Sequence, residues 1–183
     1  AEYVKKSGVN PVSDSTIKAA ADRIEAPFSR VGGENSYSLH AELQEVTHNL
    51  VGIIRTRSEI EEAIAKIADI RARSKNVAVT GGRKFNPGFH LAFDLDNMLL
   101  VAESTAKSAL LREESRGGHT RDDFPGMNSK WRQVNHIASF DGSQVTIKAQ
   151  PLPMLPKELF DLFDIHELEK YMTPEEIAKG GSN

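Results

Sequence analysis

Four stretches of this 183-residue chain repeat apolar side chains with the period of an α-helix, and short joins separate them. A chain built this way can bury its stripes only by laying helix against helix. Asp14 is expected to cap the first helix, with Ile17, Ala20, Ala21, Ile24 and Phe28 as its stripe and Pro27, then Gly32-Gly33, closing it. Asn35 or Ser36 opens the second, with Leu39, Leu43, Val46, Leu50, Val51 and Ile54 on one face. Thr56 caps the third, and Glu59 stands three residues on as its capping-box partner. Its stripe is Ile60, Ala63, Ile64, Ile67 and Ile70, and Arg71, Arg73 and Lys75 lie at its negative end. Asn86-Pro87 starts a long fourth helix, Asn as cap and Pro in the first turn, which is expected to run to about Ser115. Leu91, Leu95, Met98, Leu99, Ala102, Ala106, Ala109 and Leu110 mark its buried side, the alanines implying close approach of a neighbour.

The period then changes to two. Val134, His136, Ala138 and Phe140 alternate with polar or outward positions, Asp141-Gly142 makes a turn pair, and Val145, Ile147 and Ala149 alternate again, which predicts a β-hairpin. Pro151, Pro153 and Pro156 break regular structure, and the acidic tail beyond reads as short helical pieces with a sticky side of Phe160, Leu162, Phe163, Ile165 and Leu168. The tail is expected either to fold back on the bundle or to dock on a partner. The opening AEYVKKSG reads as a closing helical turn, with Gly8 as its stop, so the chain is expected to be a piece of a longer polypeptide. The expected fold is mainly α: an antiparallel three- to four-helix bundle, then a small β-hairpin, then an irregular or helical C-terminal tail. Its expected divisions are a helix remnant (1–10), the bundle with its charged loop (11–125), the hairpin unit (126–155) and a short-helical or flexible tail (156–183).

Several chemistries are excluded by composition. No cysteine is present, which removes disulfides, thiolate metal sites, cysteine-ligated iron–sulfur clusters and a cysteine nucleophile from this chain. With 23 Lys+Arg against 26 Asp+Glu the net charge is −3, so there is no basic footprint for nucleic acid. No apolar run has the length of a membrane span, and no direct membrane insertion is expected. The paired glycines Gly32-Gly33, Gly81-Gly82, Gly117-Gly118 and Gly180-Gly181 lack the strand before and helix after that a phosphate cradle needs. His90 with Asp94, and His40 with His48, offer two ligands each where a metal site needs at least three, so no metal residue is assigned. No G-x-S-x-G turn exposes a serine, and Trp131 between Lys130 and Arg132 reads as an anchoring core residue rather than a base-stacking one.

The densest polar cluster is REESRGGHTRDD, residues 112 to 123. An arginine–histidine–carboxylate cluster can hold an anion and move a proton. It can equally well be a helix end and loop tied by arginine–carboxylate pairs, or a docking surface, and these structural readings are favoured because nothing else in the chain supplies a cofactor.

These residues also carry a resemblance. The stretch from Asn86 to Pro125 resembles the C-terminal domain of succinate dehydrogenase and fumarate reductase flavoprotein subunits, where a long helix ends in an E-S-R-G-[GA]-H-x-R-x-D-[FY] run; here Glu114, Ser115, Arg116, Gly117, Gly118, His119, Arg121, Asp123 and Phe124 stand in those places. Ser38 to Gln44 and Val51 to Thr56 resemble its preceding helix, and Trp131 and Val145-Thr146-Ile147 fall where that family has a tryptophan and a hairpin. The resemblance covers about residues 12 to 150.

It implies a parent enzyme that interconverts succinate and fumarate with FAD and passes electrons to an iron–sulfur subunit and quinone. The flavin-binding domain would precede residue 1, whose helical turn would be that domain's last. No catalytic or cofactor-binding residue is therefore assigned to this chain, and no FAD is expected on it alone. The implied partners are the flavin-binding domain of the same chain and the iron–sulfur subunit. The implied location is cytoplasmic, peripheral to the inner face of the cytoplasmic membrane. Arg116, His119, Arg121, Asp122 and Asp123 are the expected docking residues, and replacing Arg121 is expected to harm assembly more than the fold. The alternatives are the C-terminal domain of an L-aspartate oxidase-like flavoprotein and a free-standing helical interaction module.

Overall fold

Asn35, Thr56 and Asn86 decide where the three principal helices begin. In the computed structural model, which describes residues 2–8, 11–153 and 155–180, each of these side chains accepts backbone N–H groups of the helix it opens. The elements in order are α1 (Glu2–Ser7), α2 (Asp14–Ser29), α3 (Ser36–Leu50), β1 (Ile54–Arg55), α4 (Arg57–Ser74), α5 (Pro87–Leu111), β2 (Thr120–Arg121), α6 (Ser129–Arg132), β3 (Val134–Phe140), β4 (Val145–Pro151), α7 (Lys157–Phe160), α8 (Ile165–Glu169) and α9 (Pro174–Ala178). Parts of three expected segments, namely residues 1, 9 and 10 of the N-terminal remnant, 154 of the hairpin unit and 181–183 of the tail, lie outside the described residues.

The core is made by three helices. Leu39, Leu43 and Val46 of α3, Ile60, Ala63, Ile67 and Ile70 of α4, and Leu95, Leu99, Ala106 and Ala109 of α5 form one buried cluster with Val77. Each fully buried aliphatic side chain contributes about 2 kcal/mol against leaving it in water, so this cluster is the main source of stability. Apart from Ile54 and Leu91, which stay outside the cluster, the expected stripes of the second to fourth helices meet here, and the fold is the mainly α bundle with a small hairpin. The first expected stripe does not join it. Among its described residues α2 buries none; Ile17 is 58% exposed and Ile24 39%. Its C-terminal half packs on α5, through Phe28 against Phe89 (ring centroids 4.9 Å apart) and Arg23 over the ring of Phe93 (5.7 Å).

Three helices differ from expectation at a boundary. The second stripe is expected to reach Ile54, but α3 ends at Leu50 and Ile54 falls in β1, 64% exposed. Ser13 rather than Asp14 caps α2, and the helix passes through Pro27 to Ser29. Pro27 is tolerated close to the end, where its own carbonyl leaves the helix ladder and accepts the N–H of Val79 (2.9 Å). At the last of these boundaries, α5 stops at Leu111 and not near Ser115, for reasons that belong to the site below.

Below the bundle, β3 and β4 pair antiparallel from Val134↔Pro151 to Phe140↔Val145, so Pro151 ends the ladder instead of lying outside it. The Asp141 carboxylate accepts the N–H groups of Ser143 and Gln144 and shapes the turn. Lys107 fixes the hairpin to α5: it donates to the carbonyl of Val145 (2.8 Å) and pairs with the buried Glu103 (2.6 Å). Trp131 is buried with its ring edge against His136, which is the anchoring role expected of it. In the tail, Phe160 and Met172 are buried, while Leu162 and Phe163 of the expected sticky side stay exposed.

Candidate functional site

The loop from Arg112 to Phe124 lies along the join between α3 and α4. Thr120 donates to the carbonyl of Ile53 (3.2 Å) and Asp122 to that of Arg55 (3.1 Å), forming a two-residue parallel ladder in which Ile54 faces Thr120 and Arg55 faces Arg121. This register places two arginines side by side, each just beyond a helix C-terminus.

Arg121 is fully buried. One end of its guanidinium donates to the carbonyls of Ala109 (2.9 Å), Leu110 (3.1 Å) and Arg112 (3.4 Å), the open C-terminal carbonyls of α5. Its other edge grips the Asp123 carboxylate bidentately, at 2.8 and 2.7 Å, and its central carbon lies over the ring of Phe124 (4.9 Å). A cation at the negative end of a helix is favourable, and here it also satisfies acceptors that would otherwise be orphaned. This explains the early end of α5, because once Arg121 takes those carbonyls the chain is free to turn at Arg112. Asp123 in turn accepts the N–H of Arg57 (3.0 Å), the first residue of α4, so its negative charge sits at a helix N-terminus. The hydrogen bonds from Arg121, and then that from Arg57, hold its carboxyl down to about 2.

Arg55 repeats the device on α3. Its Nη1 donates to the carbonyls of Val51 (3.0 Å) and Gly52 (2.8 Å). Between the two arginines stands His119, with Nδ1 2.7 Å from Nη2 of Arg55 and Nε2 3.0 Å from the carbonyl of Arg112. Nδ1 must accept from a guanidinium, so the proton is on Nε2 and the ring is neutral. Burial first, and then the positive charges of Arg55, Arg112 and Arg121, push its pKa below the usual histidine value, against the opposing pull of the Arg112 carbonyl.

A second knot closes the loop's other side. Glu114 is 1% exposed; it takes hydrogen bonds from Arg112, from Nε of Arg116 (3.1 Å) and from the N–H of Asn128 (2.8 Å). Arg116 also reaches the tail, donating to Glu176 (3.1 and 3.2 Å) and to the carbonyl of Tyr171. Arg116 and His119 exchange backbone hydrogen bonds across Gly117-Gly118, a tight turn that needs Gly117 at φ +59°.

Of the five expected docking residues, the structure therefore brings Arg116, His119, Arg121 and Asp123 together in one clamp, Arg121 buried inside it and Asp123 paired at its edge; Asp122, Gly117 and Gly118 form its exposed rim. Arg55, Glu114 and Glu176 belong to the same clamp and were not among those five. The position of Arg55, just beyond one stripe and just before the Thr56 capping box, was the available signal for it. Chemically the clamp holds shape. Both nitrogens of His119 are engaged and both oxygens of Asp123 are paired with Arg121, an arrangement that suits holding the loop in place. Among the described residues, no group of three or more His, Cys, Asp or Glu is arranged to hold a metal ion, and no helix is long and apolar enough to cross a membrane.

The family model "Fumarate reductase flavoprotein C-term" matches residues 40–162. The fumarate reductase flavoprotein subunit of Helicobacter pylori is 31% identical over 150 residues, which are 80% of this chain and 21% of that protein. The Sdh1 complex of Mycobacterium smegmatis in its apo form contains a chain 44% identical to this one, with a TM-score of 0.83, matching 97% of this chain and 31% of that one. Escherichia coli quinol fumarate reductase follows at 26% identity and a TM-score of 0.71, over 83% of this chain and 27% of that one. This chain thus spans about a fifth to a third of the length of these relatives. With the clamp loop and all three core helices inside the matched span or overlapping it, the chain belongs to the family of fumarate reductase and succinate dehydrogenase flavoprotein C-terminal regions.

Proposed function

We propose that this chain acts as the C-terminal supporting part of a longer flavoprotein subunit that interconverts succinate and fumarate with FAD and delivers electrons to an iron–sulfur subunit and quinone. The observation that carries the reading is the family match over residues 40–162. On this reading the redox chemistry is the flavin's, and these residues contribute a rigid wall beside it. FAD does not fit the residues present: among them the strand that leads directly into a helix is β1, and the residue between it and α4 is Thr56, with no glycine to admit a pyrophosphate. No step of the reaction is therefore assigned to a side chain here.

The clamp's exposed rim, with Asp122 at its centre, meets the flavin-binding part of the same subunit, while Arg116, His119, Arg121 and Asp123 fix the rim's shape. The assembled complex works at the inner face of the cytoplasmic membrane, reached through other subunits. The test is to purify this chain and the full-length subunit separately. The full-length subunit is expected to carry flavin absorbance and to reduce a dye with succinate, and this chain alone to do neither. Stoichiometric flavin on the purified chain alone would sink the proposal.

A further inference from the structure

Among the described residues, Arg55 has no carboxylate partner, unlike the other arginines of the clamp: Arg112 has Glu114, Arg116 has Glu114 and Glu176, and Arg121 has Asp123. Its Nη1 and one Nη2 donor are engaged by Val51, Gly52 and His119, and its buried Nε has no hydrogen-bond partner. The buried Nε2 of His136 has no partner either, and in the neutral ring it can stand as an acceptor. Both residues line one open cleft of about 420 Å³, beside the last turns of α5. Arg112, His119 and Ser108 also line it, and no Asp or Glu does. A buried unsatisfied donor costs about 1–3 kcal/mol, so the Arg55 Nε–H on this cleft points to a missing acceptor.

We propose that this cleft is a binding site for a carboxylate group, which pairs with Arg55 and accepts from the Ser108 hydroxyl. A carboxylate fits better than a phosphate. Arg112 is already neutralised by Glu114, so one positive charge is left over, which matches a monoanion. Burial lowers the pKa values of both histidines, so neither adds a second charge near neutral pH. A planar guanidinium edge also matches a planar carboxylate. The site stands apart from the proposed function, since it concerns an anion bound by this chain itself.

The carboxylate can come from an acidic side chain of another polypeptide or from a small free acid, and the test separates them. The isotopically labelled 183-residue chain is titrated with acetate, and separately with succinate, at constant ionic strength held by sodium chloride. The Arg55 Nε–H and His136 ring resonances are followed by NMR. Saturable shifts are expected for acetate, weakened at least tenfold in Arg55→Lys and roughly threefold in Ser108→Ala, the loss of one hydrogen bond. Succinate binding no more than a few-fold tighter than acetate assigns the site to a side chain; a gain beyond tenfold assigns it to a free dicarboxylate. Absence of saturation, or identical shifts from chloride alone, overturns the site. If Arg55→Lys loses its fold, Ser108→Ala decides, and acetate binding unchanged in that variant overturns it as well.

Discussion

At the scale of single residues, the clamp sets two pH limits and one mutational one. Arg121 is buried, its partner Asp123 is partly exposed, and between them they finish α5 and start α4. Arg121→Ala is expected to destabilise this chain itself by about 3 kcal/mol, the low end for a broken buried pair because Asp123 regains water. The fold effect is thus larger than the sequence alone suggested; urea denaturation of wild type and variant measures it. The histidines act in the opposite sense from a salt-bridged histidine. Their folded pKa values lie below the ordinary 6.5, chiefly through burial, so as pH falls below about 6.5 the unfolded chain binds protons that the folded chain refuses. Stability is thus unaffected by them above that pH and declines below it. Asp123 adds a second decline, between its ordinary 3.8 and about 2. Denaturation midpoints at pH 7.5 and 5.5 should differ in the wild type, and His119→Gln should flatten that difference. An unchanged slope in the variant would contradict a neutral His119.

At the scale of elements, what was legible in the sequence was what is local. The caps at Asn35, Thr56 and Asn86 and the stripes of α3, α4 and α5 depend on residues a few positions apart, and the structure has them in place. The end of α5 was not legible, because the group that terminates it arrives from Arg121, beyond a turn, and composition does not reveal whether an arginine points inward. The β1–β2 ladder escaped for the same reason: two residues pair across 66 positions, leaving no periodic trace. Long-range fit also makes Gly33 unusual. A Cβ there would stand 2.2 Å from the carbonyl oxygen of Asn76 and 2.9 Å from Cβ of Ala78, where Glu34 bridges Val77. Gly33→Ala should therefore cost about 2 kcal/mol through overpacking. Gly82→Ala, where the added methyl meets open space, is expected to be neutral or to stabilise by about 0.5 kcal/mol through the unfolded state. Thermal melts of the pair check both, and equal losses would show that backbone freedom, not crowding, fixes the bridge.

At the scale of the whole molecule, stability and exposed apolar surface are separated. The core of α3, α4 and α5 closes without α2, yet α2 carries an apolar stripe as regular as theirs. A stripe left mostly exposed contributes little to the chain that bears it. It costs solubility unless another surface covers it, and in the proposed longer subunit the flavin-binding part is the surface available. The two roles can be told apart. Ile17→Glu with Ile24→Glu should change the stability of this chain by no more than about 0.5 kcal/mol, as for exposed positions generally. In the full-length subunit the same pair should lower flavin content and recovery of assembled complex, because two charges would have to be desolvated against an apolar face. A large loss of stability in the chain alone would mean that α2 belongs to the bundle after all. Normal assembly of the doubly substituted subunit would mean that its stripe faces water there too, and that the contact with the flavin-binding part lies on the clamp side of the molecule.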